Sequence, residues 1–174
     1  VTALAGGVFP DVDMPGAPRR TLHFPVYYSV AAVVAGAVAL FTPAAWSVAA
    51  ALFLGAAALH SLSDVLGGGL ELRPWEGTSE RAVYSHYHGR WWKPRRWVRY
   101  DGAPEDAALG ALLALPSLLV FEGSVETAVL AAVVISIAYT TVRRPMVELT
   151  QRLVDWLSPE TLDRLPGRFV DDFR

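Results

Sequence analysis

The sequence predicts an all-α membrane protein: a bundle of about four transmembrane helices with a long cytoplasmic loop and a C-terminal amphipathic helix. Three observations predict it. Of 174 residues, 53% are hydrophobic and only 18% are charged, and the mean hydropathy of +0.32 is high for a soluble domain of average composition. Four apolar stretches, at 25–41, 44–62, 107–120 and 125–142, contain no Lys or Arg, and their single acidic residue is Glu126 at one end. All 15 Lys and Arg lie before the first stretch, within 67–106, or after Val142, which is one side of a four-span bundle.

The chain opens VTALAGGVF ahead of its first charge, Asp11. It lacks the basic start and cleavage-type end of a signal peptide. The run reads as the tail of an apolar helix that begins upstream, so a fifth helix is expected there. Spanning helices need roughly 20 apolar residues, with about 17 the lower limit. The first, second and fourth stretches meet that limit; the third is short unless its flanking turns extend it. AAVVAGAVALF and AAALFLGAAAL show no polar stripe, whereas surface helices of soluble bundles do. Their small residues suit close packing of helices in lipid.

The connections Thr42-Pro43 and Glu122-Gly123-Ser124 carry no basic residue. Basic residues near span ends mark the cytoplasmic side, so both termini and the long loop 67–106 are expected to face inward, in a multi-pass plasma-membrane protein. The loop is too aromatic for a disordered linker. VYSHYHGRWW and RWVRY alternate as strands do, predicting a short hairpin. Its interleaved Trp and Arg or Lys also suit the level of lipid headgroups. After Arg143-Arg144-Pro145, the residues Met146, Leu149, Leu153 and Trp156 fall at helical spacing beside Glu148, Gln151, Arg152 and Asp155. That pattern predicts an amphipathic helix on the membrane interface, followed by a short helix starting at Ser158-Pro159-Glu160. The expected domains are therefore 1–145, transmembrane, and 146–174, an amphipathic tail.

A net charge of −2 and a pI near 6.1 give no basic field for nucleic acid. Without cysteine there is no disulfide, thiolate metal site or Cys nucleophile. No ionisable residue lies at mid-span, where a transport pathway would place one.

The four histidines, His23, His60, His86 and His88, all belong to the side that Arg and Lys mark as cytoplasmic. Asp11 and Asp13 lie there too, at a spacing that points both carboxylates one way from an extended turn. His60 and Asp64 are four residues apart and share a helix face. Imidazole and carboxylate are ligands for Zn²⁺, and the same set takes Mn²⁺ or Fe²⁺. Each element also has a structural reading. The aspartates could cap a helix or pair with Arg19 and Arg20, His60 could simply bond Asp64, and His86 and His88 could join an interfacial aromatic patch with Trp91 and Trp92. Ionisable groups converging at a membrane edge are nonetheless functional candidates by default.

PDVD, then RTLH, then a span ending in HSLSD, then GGGLELRPWE resembles the membrane-bound metal-dependent hydrolase family. Its bacterial members are described as LexA-binding, inner-membrane-associated and hydrolase-like, and this chain looks like an archaeal one. The resemblance covers roughly residues 4–104. It implies a metal site made by Asp11, Asp13, His23, His60 and Asp64, holding Zn or alternatively Mn or Fe. It departs from the family at Met14, Pro18 and Leu22, where His, His and Thr are usual, and in lacking a His upstream of PDVD.

The resulting expectation is a metal-dependent hydrolase at the cytoplasmic membrane face, acting on a phosphodiester or ester of a lipid. His86 or His88 would be the general acid, and Arg20, Arg95 and Arg96 would bind an anionic headgroup. The competing expectation is a non-catalytic membrane scaffold or regulator whose basic, aromatic loop docks a partner.

Overall fold

The computed structural model describes residues 1–14 and 16–162. The last part of the expected tail, 163–174, lies outside them. The described chain is mostly helical and divides into two compact units, 1–70 with 78–97, and 71–77 with 98 onward.

The first unit begins with α1, Thr2–Val8, and a 3₁₀ turn, Phe9–Asp13. A loop then leads to α2, Pro25–Phe41, and α3, Ala45–Ser63. Proline at the first position of α2 fits a site whose N–H would be unpaired anyway. The α2–α3 turn is closed by Ser47, whose hydroxyl donates to Thr42 O (2.6 Å) and accepts from Ala44 N (3.1 Å). α3 packs against both other helices through small residues: Ala57, Ala58 and Ser61 are buried, whereas Leu52 and Leu59, like Leu40 of α2, are exposed.

α1 approaches α3 closely at Gly6. A Cβ there would lie 2.1 Å from the Phe53 carbonyl oxygen, so only glycine fits, and Phe9 meets the Phe53 ring beside it. A hairpin forms within VYSHYHGRWW, from β1, Val83–Ser85, and β2, Arg90–Trp92, antiparallel with Tyr84 opposite Trp91, whereas RWVRY, which also alternates, is not a strand. Gly89 supplies the left-handed residue of its turn (φ 63°), a conformation glycine adopts without steric cost.

The second unit is a helix pair, α4, Pro104–Val120, and α5, Ser124–Trp156, joined through Gly123. Segment 71–77 belongs to it. Arg144 lies over both the Trp75 and Tyr100 rings, and Arg73 donates to Gln151 Oε1 (2.9 Å). Gly102 (φ 83°) lies where a Cβ would meet the Tyr139 ring at 2.5 Å. The short helix α6, Pro159–Leu162, follows.

The structure corrects one expectation here. The fourth apolar stretch and the amphipathic segment are not separate helices: α5 runs 33 residues straight through Arg143-Arg144-Pro145, and so through the expected boundary at 145. Proline removes one backbone hydrogen bond but does not have to end a helix. Here the helix is held on both sides of it, by Tyr139 over Gly102 and by Val147 and Val154, which are buried.

Two helices, α3 and α5, are long and apolar enough to cross a membrane, and α2 is a shorter apolar helix. The apolar windows of α3 and α5 are 22% and 0% buried.

Candidate metal centre

The loop that carries RRTLH is organised around Asp13. This carboxylate is buried, and every contact it makes is with a donor. Oδ1 accepts from Arg19 N (3.3 Å), and Oδ2 accepts from Arg20 N (3.2 Å), Leu22 N (3.0 Å) and His23 Nδ1 (3.1 Å). A carboxylate held this way has no proton to give, so Nδ1 of His23 carries the hydrogen and Nε2 presents its lone pair. The ring itself is fully buried.

Three other groups lie around that lone pair. Asp64 Oδ2 is 3.1 Å from His23 Nε2, and Asp11 Oδ1 is 3.8 Å from it. His60 Nε2 is in turn 3.3 Å from Asp11 Oδ1. One ligand atom each from Asp11, His23 and His60 falls within 4.8 Å of the others. The two shorter separations, 3.1 and 3.3 Å, are close to the edge of a tetrahedron with metal–ligand bonds near 2.0–2.1 Å, about 3.3 Å, and the others are longer.

The hydrogen bonding points the same way. His23 Nε2, His60 Nε2 and Asp64 Oδ2 are buried yet make no hydrogen bond, a costly arrangement for polar atoms. Two nitrogens and a carboxylate oxygen that approach without bonding each other are what a shared cation would satisfy. The donor set of imidazoles and carboxylates fits a divalent metal such as Zn, Mn or Fe without selecting among them. Asp11 is the half-exposed member of the group, with 47% of its side chain accessible.

Each side chain reaches this point for a local reason. Asp11 and Asp13 sit on one 3₁₀ turn, but they diverge in role: Asp11 faces the group and Asp13 stands behind His23. Of the five residues the family resemblance implies as ligands, Asp13 is therefore the one whose oxygens are already taken. His60 and Asp64 occupy the last turn of α3 and its C-cap, the four-residue spacing visible in HSLSD. The Gly7 backbone lies beside the His60 ring, so α1 borders this side of the group.

Arg19 was not singled out in the sequence as part of the site. It is buried, lies 3.9 Å from Asp64 Oδ1 through Nε, and donates through one terminal nitrogen to Gly68 O (3.0 Å) and Ala82 O (3.5 Å). Its backbone takes a left-handed conformation (φ 54°), which costs a non-glycine residue energy that the surroundings must offset. The only sequence signal was a paired Arg between PDVD and TLH.

The remaining expected residues lie in other settings. His86 Nε2 donates to Arg20 O (2.6 Å), with its ring against Phe24 and Tyr84. His88 Nδ1 bonds the Ser85 hydroxyl (2.9 Å) within the hairpin. Arg20 stacks on Tyr84, Arg96 donates to Ser79 O (2.7 Å), and Arg95 lines a cleft beside β2. The structure thus joins Asp11, His23 and His60, with Asp64 adjoining and Asp13 behind, and gives Arg20, Arg95 and Arg96 settings of their own.

No protein-family model matches this chain, and no curated protein or solved structure is significantly similar to it.

Proposed function

We propose that the chain is a membrane-embedded, metal-dependent hydrolase that acts at the cytoplasmic membrane face on a phosphodiester or ester of a lipid, in keeping with its resemblance to the membrane-bound metal-dependent hydrolases. The observation that carries this reading is the convergence of Asp11, His23 and His60 on one point, with buried imidazole nitrogens that no protein group satisfies.

In this reading Asp11, His23, His60 and Asp64 hold the metal. Asp13 fixes the tautomer and angle of His23, as a carboxylate behind a ligating imidazole does. A divalent metal there supplies Lewis acidity and a water activated at neutral pH. The exposure of Asp11 leaves the side from which a substrate can enter. His86 commits its Nε2 to the Arg20 carbonyl, which steadies the loop whose amides hold Asp13. His88 likewise commits Nδ1 to the Ser85 hydroxyl, so each imidazole keeps one ring nitrogen, and either His86 or His88 would serve in proton transfer.

The membrane part of the proposal is a bundle of four spans, α2, α3, α4 and α5, with both described ends cytoplasmic. What supports it is the distribution of basic residues and the outward-facing apolar side chains on helices whose contacts are small. A core helix of a soluble protein would bury most of its apolar window, unlike α3 and α5.

The test is metal content of detergent-purified protein beside a His60→Ala/Asp64→Ala double variant, followed by a screen of lipid esters and phosphodiesters. Near-stoichiometric metal in the parent, lost in the variant together with turnover, supports the proposal. No metal in either after reloading rejects it and favours the non-catalytic scaffold, whose docking would then fail on deletion of 83–100.

A further inference from the structure

A second group of residues in the first unit has no role in the site described above. A cleft of about 750 Å³ lies beside the hairpin and is lined by Val65, Arg90, Trp91, Trp92, Lys93 and Arg95. Its floor is fixed in place: Arg95 N donates to Val65 O (2.7 Å), and Arg96 N donates to Gly67 O (3.2 Å), tying the segment after β2 to the chain that leaves α3. Lys93 is paired with Glu80, and Arg81 lies over the Trp91 ring. The guanidinium groups of Arg90 and Arg95 have no partner among the described residues. Two arginines whose guanidinium groups are unpaired, together with two tryptophans, line one cleft, which makes a site for a phosphate-bearing anion, since Arg binds phosphate through paired N–H donors.

Depth selects the source of that phosphate. Val65 lies two residues beyond the end of α3, one of the helices long enough to span. In a bilayer that is where the helix leaves the hydrocarbon, at the level where Trp residues anchor and basic residues meet anionic headgroups. We infer that the cleft between β2 and the end of α3 binds the headgroup phosphate of an anionic membrane phospholipid. This rests on the membrane half of the reading above and not on its chemistry. Because Val65 follows Asp64 directly, a lipid held there is also anchored next to the candidate metal centre.

The experiment is native mass spectrometry of the detergent-solubilised full chain. It is titrated with short-chain phosphatidylglycerol, with phosphatidylcholine of the same chain length, and with inorganic phosphate. The parent should retain phosphatidylglycerol over phosphatidylcholine, and Arg90→Gln/Arg95→Gln should weaken that retention about thirtyfold, on the order expected for two basic contacts at a membrane surface. Arg90→Lys/Arg95→Lys should keep part of it, and His60→Ala, which removes a candidate metal ligand, should keep all of it. Size-exclusion profile and metal content unchanged in the Gln variant exclude misfolding as the cause. Equal retention of the two lipids, or no effect of the Gln pair, overturns the inference. Displacement of phosphatidylglycerol by millimolar inorganic phosphate also overturns it, because the site would then serve a soluble anion. Loss of metal in His60→Ala with lipid retention intact would leave this site standing even if the hydrolase proposal failed.

Discussion

The residue that decides the character of the candidate centre is Asp13, although it does not face the centre's open side. Four donors converge on its two oxygens, so its charge fixes at once the loop carrying His23 and the tautomer of that ring. Asp13→Asn keeps the shape but presents an NH₂ group to donors, and it should lower metal affinity by about 10- to 100-fold, the usual effect of losing such a partner. Competition with a chelator during metal titration measures this. An unchanged affinity would mean that Nδ1 is held by something else. Asp13 also marks the limit of what the residues alone disclosed. The four-residue spacing of His60 and Asp64 is a helix property and was readable from the sequence. The division of labour between Asp11 and Asp13 depends on which amides of a later loop turn toward which oxygen, and no spacing rule encodes that. Arg19 escaped notice for the same reason, since its partners, Gly68 and Ala82, lie far along the chain.

A different residue pair gives a pH-dependent signal. At the start of α4, ahead of its apolar run, Arg99 Nε donates to Glu105 Oε1 (2.5 Å) and a second guanidinium nitrogen donates to Oε2 (2.8 Å). This guanidinium holds the Glu105 carboxyl down to about 2, against an ordinary value of 4.5. A depressed folded-state value means that the pair's contribution is complete above pH about 4.5 and is lost as pH falls through about 2. Both groups are exposed, so solvent screening keeps that contribution small. Carbonyl ¹³C NMR of Glu105 should show a midpoint near pH 2, moving back toward 4.5 in Arg99→Gln.

At the scale of elements, α1 has more importance than its seven residues suggest. It brings Gly7 to the His60 ring, and it leads directly into the turn bearing Asp11 and Asp13. Its seat depends on the absence of a side chain at Gly6. Gly6→Val should push α1 off Phe53 and lower both thermal stability and metal occupancy, with stability falling by about 1–3 kcal/mol as for overpacked sites. Gly7→Ala, where a Cβ meets nothing within 4 Å, is the control that should retain metal. Calorimetry with metal analysis of the two variants separates a packing effect from a general helix effect.

Pro145 makes the opposite kind of prediction. The helix already continues through it, so Pro145→Ala should restore one backbone hydrogen bond and raise the melting temperature. A fall would show that the proline is required for the course of α5. The periodicity of Met146, Leu149, Leu153 and Trp156 was legible in the sequence, as was the apolar run before it. Their fusion was not, because a Pro after two Arg is the ordinary signal for a helix end, and tertiary contacts around Tyr139 and Val147 override it. The hairpin was legible from alternation, and α2 and α3 from composition.

For the whole molecule, the many exposed large apolar side chains, beside an α3 that packs through small residues, support the proposed place in lipid. Phe41 and Leu119 are 88% and 85% exposed. A detergent-free preparation should therefore aggregate, whereas nanodiscs should keep the chain dispersed. Metal bound to the folded state alone would stabilise it further, by about 2.7 kcal/mol at a hundredfold excess over the dissociation constant. A thermal shift in nanodiscs on adding Zn²⁺, absent in His60→Ala, would show that the candidate centre and the fold are thermodynamically linked.

The unbroken course of α5 has a geometric corollary. At 1.5 Å per residue, 33 residues make a rod about 50 Å long, while the hydrocarbon layer it would cross is about 30 Å thick. Some 20 Å of the same rod must then stand clear of the lipid tails, with Arg143 and Arg144 as a collar near the exit point. On the proposed membrane reading, the C-terminal half of α5 would be a stalk rather than a float. If the proposed topology holds, any torque or tilt applied to that end would pass along a continuous helix into the bilayer, with Pro145, just past the two arginines, as the softest point along the way.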